Sequence, residues 1–332
     1  MIVLDRTLPD DLVGYRFLSR RFPANKDFAE KYRNLCAGMI GELLVDREMD
    51  ELVIDDDHFI FRNYESKSHT QRSIQIDTLY VSKKFILTLE AKNIAGHVRF
   101  DQMHHQFIRT KDSGEVVNFT NPVNQSIRHQ QWLQQQLLML NIRLPIISYI
   151  IFTNPSTIIS SPPSLMPIFH LSGLRYELPK WNRTYKESIN DNQLLKIKQH
   201  FYKIYNRKAF AMPLDSETIT KRILCPYCQS ELYYHNTLLR CPQCTNPIHS
   251  NFIKEVLNEY RVIWGEAISV QEFASYFCFR STKSAYRVIK QIGLQKVNST
   301  KRAKYLIPTN IEPSILEDLR GKLSDDKNTG IN

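Results

Sequence analysis

Apolar residues recur at helical spacing through residues 25–49, where Phe28, Leu35, Met39 and Leu43 mark one stripe and predict a helix. The period then changes. Residues 59–61, 74–81 and 85–91 carry β-branched and aromatic runs that predict three strands, with a polar loop at 65–72 after the first. One or two further strands are expected within 96–107 and 115–119. Asn121-Pro122 opens a second helix, because proline fits a first helical turn. That helix runs through Trp132, Leu133, Leu137, Leu138 and Leu140 and stops before Pro145. The apolar run 146–152, broken by Ser148, predicts a buried strand. Helix, three strands, helix and strand make an α/β layer arrangement, with a mixed sheet between helices.

Beyond it the pattern is more broken. Residues 160–167 are rich in Pro and Ser and read as a loop, and residues 189–205 read as a polar helix connecting domains. A cysteine-rich stretch follows. Residues 252–264 predict a helix with Phe252, Val256, Leu257 and Tyr260 on one face. Ser269-Val-Gln-Glu272 is a capping box that starts the next helix. A third helix, capped by Ser281 or Thr282, runs to Ile292 and ends at Gly293. Two short strands are expected within 294–307, turning around 298–300. The expected organisation is a basic leader (1–24), an α/β domain (25–175), a helical connector (176–220), a cysteine unit (221–249), a helical domain (250–312) and a polar tail (313–332).

Composition narrows the class. The 332 residues are 42% hydrophobic and 23% charged, which excludes a disordered or fibrous chain. No run approaches the ~18 apolar residues of a membrane helix, and the start lacks the basic-then-apolar order of a signal peptide. The expectation is a cytoplasmic protein with reduced thiols. The formal charge of +10 suits nucleic acid, an anionic membrane surface or plain solubility; composition alone does not choose.

Candidate chemistry lies in Gln75-Ile76-Asp77 and Leu89-Glu90-Ala91-Lys92-Asn93, both on predicted strands. Side chains alternate faces along a strand, so Glu90 and Lys92 share one. If the strands form a hairpin turning at Lys83-Lys84, Asp77 lies opposite Glu90, and opposed Cβ atoms are ~5 Å apart. Two carboxylates there repel unless a divalent cation reverses the sign of the interaction. Mg²⁺ takes such oxygen ligands and can help deprotonate an attacking water. Lys92 would hold that water or stabilise developing charge. Glu42 would complete the set from the first helix, after Gly38-Met39-Ile40-Gly41, whose small residues allow close approach. Against this stands the ordinary reading of Glu-x-Lys on a strand, a solvated ion pair.

Residues from about 34 to 154 resemble the nuclease-related domain, a branch of the PD-(D/E)xK superfamily of restriction-endonuclease-like folds. The resemblance lies in Gly38-Met39-Ile40-Gly41-Glu42, Gln75-Ile76-Asp77, Glu90-Ala91-Lys92-Asn93 with Gly96 following, Asn121-Pro122-Val123-Asn124-Gln125, and the strand ending Ile151-Phe152-Thr153. It implies that Asp77 and Glu90, with the Ala91 carbonyl, bind Mg²⁺ or Mn²⁺, that Lys92 positions the nucleophilic water, and that Glu42 is a further acidic ligand. Gln125 would orient a ligand or a backbone phosphate. A tryptophan common in the family after that glycine is missing, and Phe100 or Phe107 stands in for it.

Cys225-Pro-Tyr-Cys228 and Cys241-Pro-Gln-Cys244 form C-x₂-C-x₁₂-C-x₂-C. Two such pairs suit tetrahedral Zn²⁺ better than redox chemistry in a reducing compartment. The segment between them reads as a hairpin turning near His235-Asn236, and the unit resembles a zinc ribbon. With all four positions filled by protein, its role is structural.

From Arg280 to Lys304 there are eight Lys or Arg and no Asp or Glu. Lys283, Arg287 and Lys290 share one face of the third helix, while Val288, Ile289 and Ile292 share another. Three helices followed by a hairpin resemble a winged helix-turn-helix, whose third helix reads DNA. Lys301, Arg302 and Lys304 would meet phosphates from the wing. His97, His104 and His105, with Asp101, form a weaker candidate for a second metal site and read better as polar loop residues.

The sequence thus predicts a restriction-endonuclease-like α/β domain joined to a zinc ribbon and a winged helix, acting as an Mg²⁺-dependent deoxyribonuclease. The competing class is a DNA-binding regulator or scaffold with a silent nuclease-like domain. RNA is the other substrate to be tested. Membrane binding is not expected, and two-strand cleavage would require two active sites, hence a homodimer.

Overall fold

The computed structural model describes residues 1–309 other than Asp55, Asp112, Leu165, 216–218, 236–237, Ser250 and 298–302. The chain divides into two compact units: residues 1–6 with 36–208, and residues 7–35 with 209 onward.

The stretch expected to be a basic leader is built into both units. Its strand β1 (Ile2–Leu4) pairs in parallel with β2 (His58–Lys67) in the first unit, and its helix α1 (Asp10–Arg21) belongs to the second. Helix α2 (Lys26–Glu51) gives residues 26–35 to the second unit and the remainder to the first.

In the first unit, β2, β3 (Ser73–Ser82) and β4 (Ile86–Lys92) form an antiparallel meander. Strand β2 extends through part of the expected 65–72 loop. Strands β5 (Gly96–Asp101), β6 (Gln106–Thr110) and β7 (Val116–Phe119) follow, then helix α3 (Pro122–Met139) and strand β8 (Ile146–Phe152). Strand β8 lies parallel to β4, and β10 (Ile168–His170) lies parallel to β8. The mixed sheet therefore runs β1-β2-β3-β4-β8-β10, while β7, β6, β5 and β9 (Thr157–Ser160) form a smaller sheet. Phe100 and Phe107 of the smaller sheet, 4.8 Å apart, pack in one cluster with Phe152.

Helices cover both faces of the main sheet. On one face, Phe61, Tyr64, Ile76, Leu79 and Val81 pack against Trp132, Leu133 and Leu137 of α3 and against Leu194, Ile197 and Phe201 of α5 (Asp191–Ile204). On the other, Tyr80, Leu87, Leu89 and Tyr149 meet Val45 and Met49 of α2 and Leu174 and Leu178 of α4 (Leu174–Thr184). The helix read as a connector is thus part of this core. Its polar surface hid a stripe that buries Phe201 completely, and burying one such ring stabilises by about 1.5–3 kcal/mol.

In the second unit, the cysteine ribbon and the helices share one core. Strands β11 (Tyr233–His235) and β12 (Leu238–Arg240) form its hairpin. Helix α6 (Phe252–Trp264) packs Val256, Leu257 and Tyr260 in one cluster with Ile223, Leu232 and Leu239. Asp10 of α1 grips Arg261 of α6 with both oxygens, at 2.6 and 3.2 Å. Strand β13 (Ala267–Ser269) leads into α7 (Val270–Tyr276), whose Ser269–Glu272 capping box is complete. Helix α8 (Thr282–Ile292) is capped by Ser281 and ends at Gly293, whose φ of +82° is the left-handed conformation glycine tolerates best. Strands β14 (Gln295–Lys296) and β15 (Lys304–Leu306) pair, and β13 joins them on the far side of β15.

Candidate active site and thiolate cluster

The β3–β4 hairpin sets the register of the site. Thr78 pairs with Leu89, Leu79 with Thr88 and Val81 with Ile86, the pairing expected from a turn at Lys83-Lys84. Lysines alone favour no tight turn, and Ser82 supplies what they lack. Its hydroxyl accepts from the backbone N–H groups of Lys84 and Phe85, both at 3.2 Å.

The regular ladder stops at Thr78–Leu89. One residue on, the Asp77 carboxylate accepts the Ala91 N–H at 2.8 Å. Ile74 and Ile76, then Leu79 and Val81, pack in the same cluster, so the alternation of faces slips by one across Asp77. The partner strand slips too, at Asn63, whose φ is +49°. A two-sided irregularity of this kind leaves the register intact and re-aims one side chain.

Glu90 and Lys92 share a face as predicted, and the Lys92 ammonium donates to Glu90 Oε1 at 2.6 Å. The other Glu90 oxygen is buried and has no hydrogen-bond partner. Gln125, in the first turn of α3, lies beside Glu90 and favours its charged form. Helix α2 comes close to the ends of β4 and β8. A Cβ on Gly41 would lie 2.8 Å from the Thr153 hydroxyl and 2.9 Å from Asn93 Cβ, so glycine is needed there; Gly38 has open space. Glu42, one residue on, keeps 15% of its side chain exposed.

Three members of the site went unrecognised in the sequence. Arg6, just after β1, is buried and bonds Asp46 through Nε and Nη2, Glu42 through Nη1 and the Asp77 carbonyl oxygen through Nη2. Asp46 stands one helical turn after Glu42, a spacing that was available to sequence reading. His129 likewise stands one turn after Gln125. Its Nδ1 lies 4.0 Å from Glu90 Oε2, and burial lowers its pKa to about 4, so the ring is neutral near pH 7. No local pattern signals Arg6, whose partners lie 36 or more residues away.

The electrostatics follow from burial. Loss of hydration pushes the Glu42 carboxyl up to about 8, which Arg6 opposes and Asp77 reinforces. Burial, then Asp77, pushes Glu90 up to about 7. Asp77 is raised in the same sense by burial, against Lys92 and the Ala91 N–H. For Lys92 and Arg6, burial works against the charge, but the surrounding carboxylates outweigh it and both pKa values are raised. The donor set fits a hard divalent ion: carboxylate and carbonyl oxygens, one carboxylate oxygen buried without a partner. The acids do not all converge on one point. Among the described residues, only the four cysteines bring three or more ligand atoms within 4.8 Å of one another.

That second cluster is compact. Cys225 and Cys244 Sγ are 3.6 Å apart, and Cys228 and Cys241 Sγ are 3.4 Å apart. These separations are too long for a disulfide. They approach the edge, about 3.8 Å, of a tetrahedron with ~2.3 Å zinc–sulfur bonds. The histidines after β4 form no such group: His104 pairs with Asp101 at 3.0 Å and His97 with Ser160 at 2.5 Å. On α8, Lys283, Arg287 and Lys290 are exposed, while Ala285 and Ile289 are buried. Lys304 is exposed on β15, and a groove of about 800 Å³ lined in part by Thr282, Lys283, Tyr286 and Lys304 brings α8 and β15 to one surface. Lys301 and Arg302 lie outside the described residues. No helix among the described residues is long and apolar enough to cross a membrane.

A carboxyl whose pKa is raised on folding binds its proton more tightly in the native than in the unfolded chain. Its contribution therefore favours folding at low pH and is lost as pH rises from about 4.5 toward 7 for Glu90 and 8 for Glu42. In Mg²⁺-free protein, the melting temperature of Glu42→Gln relative to wild type should accordingly rise between pH 5 and pH 8. A pH-independent difference in thermal melts contradicts the raised pKa of the buried Glu42 carboxyl.

Residues 37–153, about a third of the chain, match the nuclease-related domain family. No curated protein and no solved structure matches the chain significantly. The matched segment runs from within α2 to the residue after β8 and contains Glu42, Asp77, Glu90, Lys92 and Gln125; it stops short of the cysteines and α8, and it does not include Arg6.

Proposed function

We propose that the first unit hydrolyses phosphodiester bonds, with DNA as substrate and a divalent metal as cofactor. The observation that carries this reading is the meeting of Asp77, Glu90 and Lys92 at one end of the β3–β4 hairpin, with a buried Glu90 oxygen lacking any partner. Asp77, Glu90 and the Ala91 carbonyl would hold Mg²⁺ or Mn²⁺. Such an ion supplies Lewis acidity at a phosphate oxygen and eases deprotonation of water. Lys92, fixed by Glu90 Oε1, donates to the attacking water and offsets charge on the phosphate. Gln125 orients a phosphate from the α3 side, and Glu42 adds negative charge from the α2 side.

In the same proposal the second unit carries the chain to DNA. Cys225, Cys228, Cys241 and Cys244 hold a structural Zn²⁺ as a zinc ribbon. Helices α6–α8 with β13–β15 act as a winged helix, with Lys283, Arg287 and Lys290 on its recognition helix and Lys301, Arg302 and Lys304 near phosphates. The arrangement of α7, the capped α8 and the β14–β15 pair supports this. Zinc-holding cysteines stay reduced in the cytoplasm, the location this proposal assigns, and cleavage of both strands calls for a homodimer. A second reading, a DNA-bound scaffold without catalysis, is favoured by one observation: Glu42 is already taken by Arg6.

Plasmid, linear and branched DNA, with RNA in parallel, should be cut only when Mg²⁺ or Mn²⁺ is present. Glu90→Ala/Lys92→Ala should lower the rate by about 100-fold or more. Equal cleavage by that variant and wild type removes the nuclease assignment. In electrophoretic titrations, Arg287→Ala/Lys290→Ala should weaken DNA binding. The slope of log affinity against log salt should flatten by about 2, near 0.9 per lost phosphate contact. Unchanged affinity and slope remove the recognition-helix assignment. A chain that binds DNA normally, takes up no Mn²⁺ and never cuts is the scaffold.

A further inference from the structure

Arg6 is an unusual occupant of an acidic pocket. Only 3% of the residue is exposed. Nε and Nη2 clasp Asp46 at 2.5 and 3.0 Å, Nη1 donates to Glu42, and Nη2 also donates to the Asp77 carbonyl oxygen at 2.8 Å. Two carboxylates and a backbone carbonyl are the donor set that a hard divalent ion takes. Here they surround a guanidinium that cannot be deprotonated. That cation bonds the carbonyl of the residue whose carboxylate faces Ala91. Phosphodiester enzymes with two metal ions place them about 3.5–4 Å apart around shared ligands of this kind.

We infer that Arg6 takes the place of a second divalent ion, so that the centre binds a single metal and Glu42 and Asp46 serve the guanidinium. The inference rests on the nuclease reading of the same pocket. Occupancy argues for one ion. The Arg6 guanidinium already fills the space among Asp46, Glu42 and the Asp77 carbonyl oxygen, and Arg62 Nε lies 3.2 Å from Asp46. A second ion there would press against a fixed guanidinium in a poorly hydrated pocket, where like charges repel strongly. Arg62 also holds Asp46, at the oxygen that Arg6 Nη2 bonds, and contacts to Asp5 at 3.0 Å and Asp50 at 2.5 Å fix the guanidinium of Arg62. The carboxylate that holds Arg6 is therefore itself held.

The test is a count of Mn²⁺ ions by calorimetry and electron paramagnetic resonance on the full chain, preloaded with zinc. Wild type should take up one Mn²⁺, lost in Asp77→Asn. Arg6→Gln should take up two, because the vacated oxygens are free to coordinate. Should Arg6→Gln not fold, Arg6→Gln/Asp46→Asn removes one charge of each sign and should also bind two, the second more weakly. Two ions in wild type, or one in the folded variants, overturns the inference and leaves the nuclease reading standing. No ion in wild type overturns both.

Discussion

Four carboxylates drawn below the surface, two on α2 and two where the β3–β4 ladder ends, repel one another and give up hydration that water would supply. The first unit is organised around their neutralisation. Arg6 and Arg62 enclose Asp46, Arg6 reaches Glu42, and Lys92 holds one oxygen of Glu90. Asp77 accepts a backbone N–H, and the second oxygen of Glu90 is buried without a hydrogen-bond partner. Burial raises the pKa values of Asp77 and Glu90 beside Lys92, and that of Glu42 even beside Arg6. Protonation would relieve the repulsion, and so would a divalent ion held by Asp77 and Glu90, which could also bind a phosphate oxygen.

Local backbone features deliver these groups. The slip of alternation across Asn63 and Asp77 frees the Asp77 side chain from the ordinary pleat, while Gly41 brings α2 close to Asn93 and Thr153. The N-terminal strand adds Arg6 by a contact that closes a long loop of chain. In the second unit, α8 buries Ala285 and Ile289 and leaves a basic face in solvent.

Much of this was legible in the sequence where periodicity carried it. The apolar run 146–152 is strand β8, residues 252–264 are α6, and the capping box at Ser269 and the glycine at 293 stand where expected. The β3–β4 register followed from the turn position, and with it the closeness of Asp77 to β4. Long-range contacts were not legible. Residues 1–24 looked like a leader because a three-residue strand and a charged helix carry little pattern, yet they supply Arg6 and the Asp10–Arg261 pair. The helix at 191–204 looked like a connector because its polar residues outnumber the three that face the core. His129 and Asp46 could have been found, since each lies one turn from a residue already singled out.

The central claim is that one divalent ion sits between Asp77 and Glu90, apart from Arg6. Anomalous diffraction from crystals soaked in Mn²⁺ tests it most directly. The account predicts one strong peak at the Asp77 and Glu90 oxygens and the Ala91 carbonyl, with the Arg6 guanidinium still on Glu42 and Asp46. A peak between Glu42 and Asp46 with Arg6 displaced, or no peak beside Asp77 and Glu90, contradicts it.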